Sequence, residues 1–251
     1  DWYIDQMKRK TYTSEAIDIQ LKHSQYAYGV RDYIKHESLI DSTRLDIKEF
    51  INWIARDDSL PDEMWQDLSH TLNNKYPSTS FNFVLASSGD LANLVETQQV
   101  DFAFGVDYER VDDPRIIYNP LGKIRMMSVC KKGHDLSAMR RVSDEVLRNS
   151  MQATMVYLNE KDNPELEPFS RRYIGFSSFD FMLDTILREE AWGVMPEPLI
   201  RHLLREQELA VIKHTYGLTQ EDYCMFTAAG MAEHPGMNWL ADQLSDYLFD
   251  F

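Results

Sequence analysis

Between Ile17 and Ile40 the chain holds no proline, and Ile19, His23, Tyr26, Val30, Tyr33, Glu37 and Ile40 follow one another at alternating spacings of four and three. That repeat is a helical seam, apolar or aromatic at five of its seven places. Thr13 or Ser14 offers an N-cap, with Glu15 in the first turn, so a helix is predicted to start there. A seam fixes burial and not partner. It suits either a helix lying on its own domain or a dimerisation helix, and in the second case Ile19, Tyr26, Val30, Tyr33 and Ile40 are the dimer contacts.

Beyond Arg44 strands and helices alternate. Phe50 to Ala55 is a strand candidate; Leu60-Pro61 opens a helix with the stripe Met64, Trp65, Leu68 and Leu72, and Tyr76-Pro77 ends it. A strand at Thr79 to Leu85, the turn Ser87-Ser88-Gly89, a helix from Asp90 to Thr97 and a buried strand at Asp101 to Val106 follow. Strand, helix and strand in repetition imply parallel pairing through right-handed crossovers. The second half repeats the style. Ile124 to Cys130 is extended, Lys131 to His134 is a turn, Val142 to Leu147 a short helix and Met151 to Leu158 a strand. A charged loop at Asn159 to Pro168 precedes a helix from Asp180 to Arg188 capped by Ser177-Ser178. Short strands at Gly193 to Pro196, Leu209 to Ile212 and Tyr223 to Ala228, a helix at Pro198 to Arg205 and a C-terminal helix striped by Trp239, Leu240, Leu244, Tyr247 and Leu248 complete the pattern.

Charge narrows the partners. The net charge is −15, while residues 1 to 44 hold seven acids and seven bases, so the excess is carried by the α/β part. Phosphate contacts need a basic surface, so DNA binding by this chain alone is not expected. No apolar run approaches the roughly 20 residues that span a bilayer, and Asp1-Trp2-Tyr3-Ile4-Asp5 has neither the basic start nor the apolar core of a secretory signal. A cytoplasmic location is therefore expected. Cys130 and Cys224 sit in apolar runs, without CxxC or His spacing for a metal; neither metal nor cofactor is expected, and a redox pairing of the two is the sharper alternative to plain packing. His134 lies in a turn with Lys131, Lys132 and Asp135, and no GxSxG or HExxH motif occurs, so no catalytic residue is assigned.

The order of elements, taken with particular residues, resembles the LysR family of transcriptional regulators. Trp2-Tyr3 followed by Tyr12-Thr13-Ser14-Glu15-Ala16 resembles the end of that family's winged helix-turn-helix. Ser59-Leu60-Pro61, Tyr76-Pro77, Ser88-Gly89, Asp101-Phe102-Ala103-Phe104-Gly105, the turn Lys132-Gly133-His134 and Ala191-Trp192-Gly193-Val194-Met195-Pro196 resemble the successive elements of its sensing domain. The resemblance implies an α/β fold of two Rossmann-like lobes joined by two crossover strands, like type 2 periplasmic binding proteins, preceded by a long linker helix. It also implies boundaries: 1–13 as a remnant of the wing, 14–42 as the linker and dimerisation helix, 45–125 plus 229–251 as lobe one and 130–222 as lobe two. The crossover strands are then Ile124 to Cys130 and Tyr223 to Ala228. The implied function is effector sensing and oligomerisation, as a homodimer or homotetramer, with promoter DNA reached only through a domain outside this chain. A type 2 periplasmic solute-binding protein is the alternative.

In an open parallel sheet, ligands bind outside the carboxyl ends of strands, where helix N-termini present unpaired donors. Three corners qualify: Arg56 to Leu60 with Asp57 and Asp58; Ser87, Ser88 and Gly89; and Ser177, Ser178 and Phe179. By the resemblance, Ser88 and the Ser177-Ser178 pair match positions that contact effectors. The serines are equally suited to capping helices, and the aspartates to capping the helix after Pro61. A cleft carrying both aspartates repels a carboxylate unless Arg56 compensates, which leaves a neutral, phenolic or cationic effector open.

Overall fold

The computed structural model describes residues 51–108, 113–157, 167–188, 191–231 and 234–249. The predicted seam helix, with Ile19, Tyr26, Val30, Tyr33 and Ile40, lies outside them, as does most of the charged loop 159–168.

Lobe one begins with β1 (Ile51–Arg56), α1 (Asp62–Lys75), β2 (Ser80–Leu85), a 3-10 turn (Ser88–Asp90), α2 (Leu91–Glu96) and β3 (Phe102–Asp107). β1 lies between β2 and β3 and is parallel to both, with Ala55 opposite Val84 on one side and Ala103 on the other. The period of two along β3 sorts its side chains between two helices. Phe102, Phe104 and Val106 face the core that holds Trp65 and Leu72 of α1, whereas Ala103 packs with Leu91 and Val95 of α2. Trp65 meets Phe104 edge-on at 5.9 Å between ring centroids. Covered on both faces, β3 is apolar from Phe102 to Val106 before it ends in Asp107, as a strand between helical layers reads.

Two strands run through the whole molecule. β4 (Ile116–Lys131) and β9 (Thr219–Ala228) pair antiparallel from Ile116 opposite Ala228 to Met126 opposite Thr219, with one irregularity between Pro120 and Gly122. Both begin earlier than the apolar pattern indicates. The first eight residues of β4 alternate buried Ile116 with half-exposed Ile117 and include Pro120, which cannot donate to a ladder and sits at the irregularity.

Lobe two adds α3 (Asp135–Ala138), α4 (Asp144–Asn149), β5 (Gln152–Met155), β6 (Tyr173–Phe176), α5 (Phe179–Leu187), β7 (Trp192–Pro196), α6 (Glu197–Arg205) and β8 (Leu209–Val211); α7 (Pro235–Phe249) then returns to lobe one. The strand order is β2-β1-β3-β9-β4-β7-β5-β6, with β8 also on β4. β6 was hidden from pattern reading because it is a four-residue edge strand, mostly exposed, following two arginines. His134 caps α3 through Nδ1, which accepts from the Leu136 N–H at 3.1 Å, consistent with a surface turn.

The topology corrects the expectation that Cys130 and Cys224 are neighbours. Cys224 stands opposite Pro120, ten residues along β4 from Cys130, a separation of roughly 33 Å at strand rise. Direct bridging requires Cα atoms within about 7 Å. Each thiol packs in a different lobe's core, and burial pushes that of Cys130 up to about 11.

Candidate functional site

The turn after β1 is organised by one carboxylate. Asp57 is fully buried, and its Oδ1 accepts from the backbone N–H of Ser59 (3.1 Å) and from the Ser59 hydroxyl (2.6 Å). Its Oδ2 accepts from the Val106 N–H (2.7 Å) and the Ser88 hydroxyl (3.0 Å). Four donors thus tie the carboxyl ends of β1 and β3 to the turn that follows β2. Burial pushes the Asp57 carboxyl up, and the hydrogen bonds from Ser59, Val106 and Ser88 oppose that rise.

Room for this carboxylate comes from Gly105. A Cβ there would meet Leu91 and lie 2.7 Å from Asp57 Oδ2. Gly105→Ala is accordingly expected to cost about 1–3 kcal/mol by overpacking, measured by urea unfolding, because Asp57 is anchored at both oxygens and has nowhere to retreat. A variant as stable as the parent would mean that the Asp57 anchorage yields readily.

Asp58 points the other way. Its Oδ2 accepts from the N–H of Phe179, the first residue of α5, at 2.8 Å, so a lobe-one carboxylate caps a lobe-two helix. The dipole of α5 favours that placement. Burial pushes the Asp58 carboxyl up to about 6, with the charges of Asp57 and Asp180 adding to the rise. The alternative that both aspartates cap α1 is not what the structure holds: α1 has Pro61 at its N-cap and no side-chain cap.

The remaining predicted residues divide as follows. Arg56 donates to the Asp57 carbonyl at 3.2 Å, pairs with Asp62 and lies over the Trp65 ring at 5.6 Å, so its charge is committed outside the cleft. Ser87 accepts from the Asp90 N–H and donates to the Asp90 carboxylate, a local cap. Ser178 accepts from the Asp180 N–H at 3.2 Å, also a cap, and Ser177 is exposed. Ser88 and Phe179 line the cleft itself.

That cleft encloses about 660 Å³ between the lobes. Lobe one contributes Ser88, Ala92 and the end of β3 at Asp107; lobe two contributes Gln152, Thr154, Phe179, Met182 and the Thr215-Tyr216-Gly217 turn, and Thr219 and Glu221 of β9 lie between them. Gly217 has φ +71°, and a Cβ on it would lie 2.5 Å from the Ser128 hydroxyl, which donates to the Tyr216 carbonyl at 2.6 Å; this close approach sets the turn against the cleft. Gln152 is buried, accepts from the Ser170 N–H at 2.8 Å and is hydrogen-bonded to the Tyr216 side chain. Sequence reasoning reached Phe179 but missed the rest of the lobe-two wall. Its signal was present as Gln152 and Thr154, two polar residues at i and i+2 that alternate with Ala153 and Met155 along β5.

Two lobes joined by two antiparallel crossover strands around such a cleft define the type 2 periplasmic-binding fold. Within that class, the family model "LysR substrate binding domain" matches residues 57–248, and the chain belongs to that family. A second model, "TMEM260-associated domain 2", matches residues 1–102. No curated protein matches the chain. Among solved structures, the regulatory domain of MetR, a LysR family regulator from N. meningitidis, aligns with a TM-score of 0.65 at 15% identity, covering 80% of this chain and 94% of that one. The CcmR regulatory domain from Synechocystis PCC6803 in complex with 2-PG aligns at 0.61 and 12%, covering 79% and 97%. The effector binding domain of QuiR in complex with shikimate aligns at 0.58 and 11%, covering 80% and 97%. This is the regulatory, effector-binding domain of a LysR-type regulator and not an enzyme, and the family match favours that reading over the solute-binding-protein alternative. Among the described residues no helix is long and apolar enough to cross a membrane.

Proposed function

We propose that a small-molecule effector binds in the cleft between the lobes, touching Ser88 on one side and Phe179 with the β5 end on the other. The observation that carries this reading is the bridge between the lobes: Asp57 holds Ser88 while its neighbour Asp58 holds the Phe179 amide, so one turn holds a cleft-lining residue of each lobe. A ligand that prefers one lobe spacing shifts that equilibrium by its differential affinity. Two of the similar structures hold small molecules, shikimate and 2-PG, which supports ligand binding by this fold. Ser177 and Ser178 act in this reading by capping α5, and Arg56 by fixing the turn.

The spacing change would pass through the 14–42 helix to a DNA-binding domain preceding it, in a cytoplasmic homodimer or homotetramer. Sedimentation at high micromolar concentration is expected to give a dimer or larger, reduced towards monomer by Tyr26→Glu with Val30→Glu; a monomeric parent would remove the dimerisation role. In the cleft, Ser88→Leu is expected to abolish effector response while leaving folding and assembly intact. Calorimetry with an effector recovered from cell extract tests this, and unchanged affinity in the variant would move the site elsewhere.

A further inference from the structure

On the lobe-two side of the cleft, hydrogen-bond direction is fixed from behind. Ser170 is buried and locked in place: its hydroxyl accepts from Trp192 Nε1 at 3.1 Å and donates to the Leu147 carbonyl at 2.8 Å. Its backbone N–H donates to Gln152 Oε1 at 2.8 Å, and because a backbone N–H can only donate, this fixes which end of the Gln152 amide is the oxygen. Gln152 is 2% exposed, yet it lines the cleft and is hydrogen-bonded to the Tyr216 side chain, which lines it too. The Tyr216 ring is set against Phe169 and Trp192, at 4.3 Å and 5.9 Å between centroids, so neither polar group is free to swing away.

A count of hydrogens gives the consequence. The amide nitrogen carries two and the Tyr216 hydroxyl one. One bond between the groups uses one of the three, whichever group donates. Two hydrogens are left over, and the amide oxygen is already turned to Ser170. Neither side chain has a further acceptor among the described residues. Donors so deeply placed are costly to leave unmatched. An acceptor on a ligand would satisfy them, and Met126, Met182, Val194 and Phe226 supply an apolar surround for the rest of it.

We propose that Gln152 and Tyr216 form a donor pair that selects an effector carrying an acceptor oxygen, carbonyl or hydroxyl, on an apolar body. This deepens the cleft reading and rests on it. Gln152 is the specificity-determining residue. Ser170 is a positioning residue, holding the amide oxygen so that the nitrogen is the end left for the ligand.

The test uses the 251-residue chain and two uncharged probes of similar body, acetophenone with an acceptor oxygen and ethylbenzene without one, titrated by nuclear magnetic resonance. The acetophenone-to-ethylbenzene affinity ratio is expected to fall about fivefold in Gln152→Met, the size of one hydrogen bond. A purely structural disturbance would weaken both probes alike and leave the ratio where it was. In the parent, a Gln152 side-chain amide proton is expected to move further downfield with acetophenone than with ethylbenzene, a readout that needs no variant to fold. Thr154→Trp, which fills the lobe-two wall, is expected to abolish acetophenone binding, with far-ultraviolet circular dichroism to check its fold. An unchanged ratio in Gln152→Met, or an amide proton that moves equally with both probes, would overturn the donor pair and leave the cleft as the site. Acetophenone binding untouched by Thr154→Trp would overturn the cleft itself. Failure of acetophenone to bind at about 10 mM would overturn the donor pair as a recognition element, the Ser88→Leu calorimetry remaining the test of the cleft.

Discussion

Replacing Asp57 by alanine is expected to destabilise the chain by roughly 3–5 kcal/mol, the largest effect of any single substitution near the cleft. Two of the four groups that donate to its carboxylate, the N–H of Ser59 and the N–H of Val106, belong to the backbone and cannot turn away. Left in a buried turn without an acceptor, each costs about 1–3 kcal/mol. The hydroxyls of Ser59 and Ser88 can rotate to other partners, and removing a buried carboxylate recovers some desolvation, so the total stays below the sum of four lost bonds. Asp57→Asn has nearly the same size and charge-free burial, yet it is expected to cost about 2 kcal/mol. Its amide nitrogen must replace either Oδ1 or Oδ2, and so must face one of those two N–H groups, donor against donor. Urea unfolding at constant slope measures both variants. If Asp57→Asn matches the parent while Asp57→Ala does not, volume rather than acceptor count governs the turn. If neither is destabilised, Asp57 does not organise this corner.

The importance of Asp57 could not be read from Arg56-Asp57-Asp58-Ser59, which as a string is an ordinary polar loop. What the string lacks is depth: a polar residue directly after a buried strand can end in solvent or under the neighbouring strand, and pattern reading cannot tell which. The outcome depends on Gly105, 48 residues away, whose missing side chain makes the space. The elements themselves were far more legible. The stripe of α1, the buried run of β3 and the capping serine of α5 each follow from local periodicity or cap chemistry, and the structure has helices and strands there. The failures share a cause. β6 and the start of β4 are stretches where edge position or a bulge breaks the period of two, and the lobe-two cleft wall keeps that period but turns its polar residues to the cleft. The family resemblance supplied the lobes and the corners to inspect. It did not supply the direction of each aspartate, one turned to the ends of β1 and β3 and the other to α5.

Asp58→Asn is expected to stabilise the chain at neutral pH by about 2–3 kcal/mol and to make no comparable difference near pH 4. In the folded chain burial raises the Asp58 carboxyl from 3.8 to about 6, with Asp57 and Asp180 adding repulsion. In the unfolded chain it titrates near its ordinary value. Between those two values the folded state therefore holds more protons than the unfolded state, and stability falls as pH rises through the window. Below about pH 4 the group is protonated in both states and the penalty is absent; above about pH 6 it is present in full. Protonation does not break the interlobe bond, because a carboxylic acid still offers its carbonyl oxygen to the Phe179 N–H, and the asparagine carbonyl can do the same. The variant thus removes the charge penalty and keeps the contact. Asp57 also titrates upward, but it is common to both proteins, so the difference between parent and variant isolates Asp58 and its coupling to that neighbour. Urea unfolding of the two proteins in steps from about pH 4 to about pH 7.5 gives the curve directly. A stability difference that stays flat across this range would mean that Asp58 titrates normally, and that the bond to α5 compensates its burial in full.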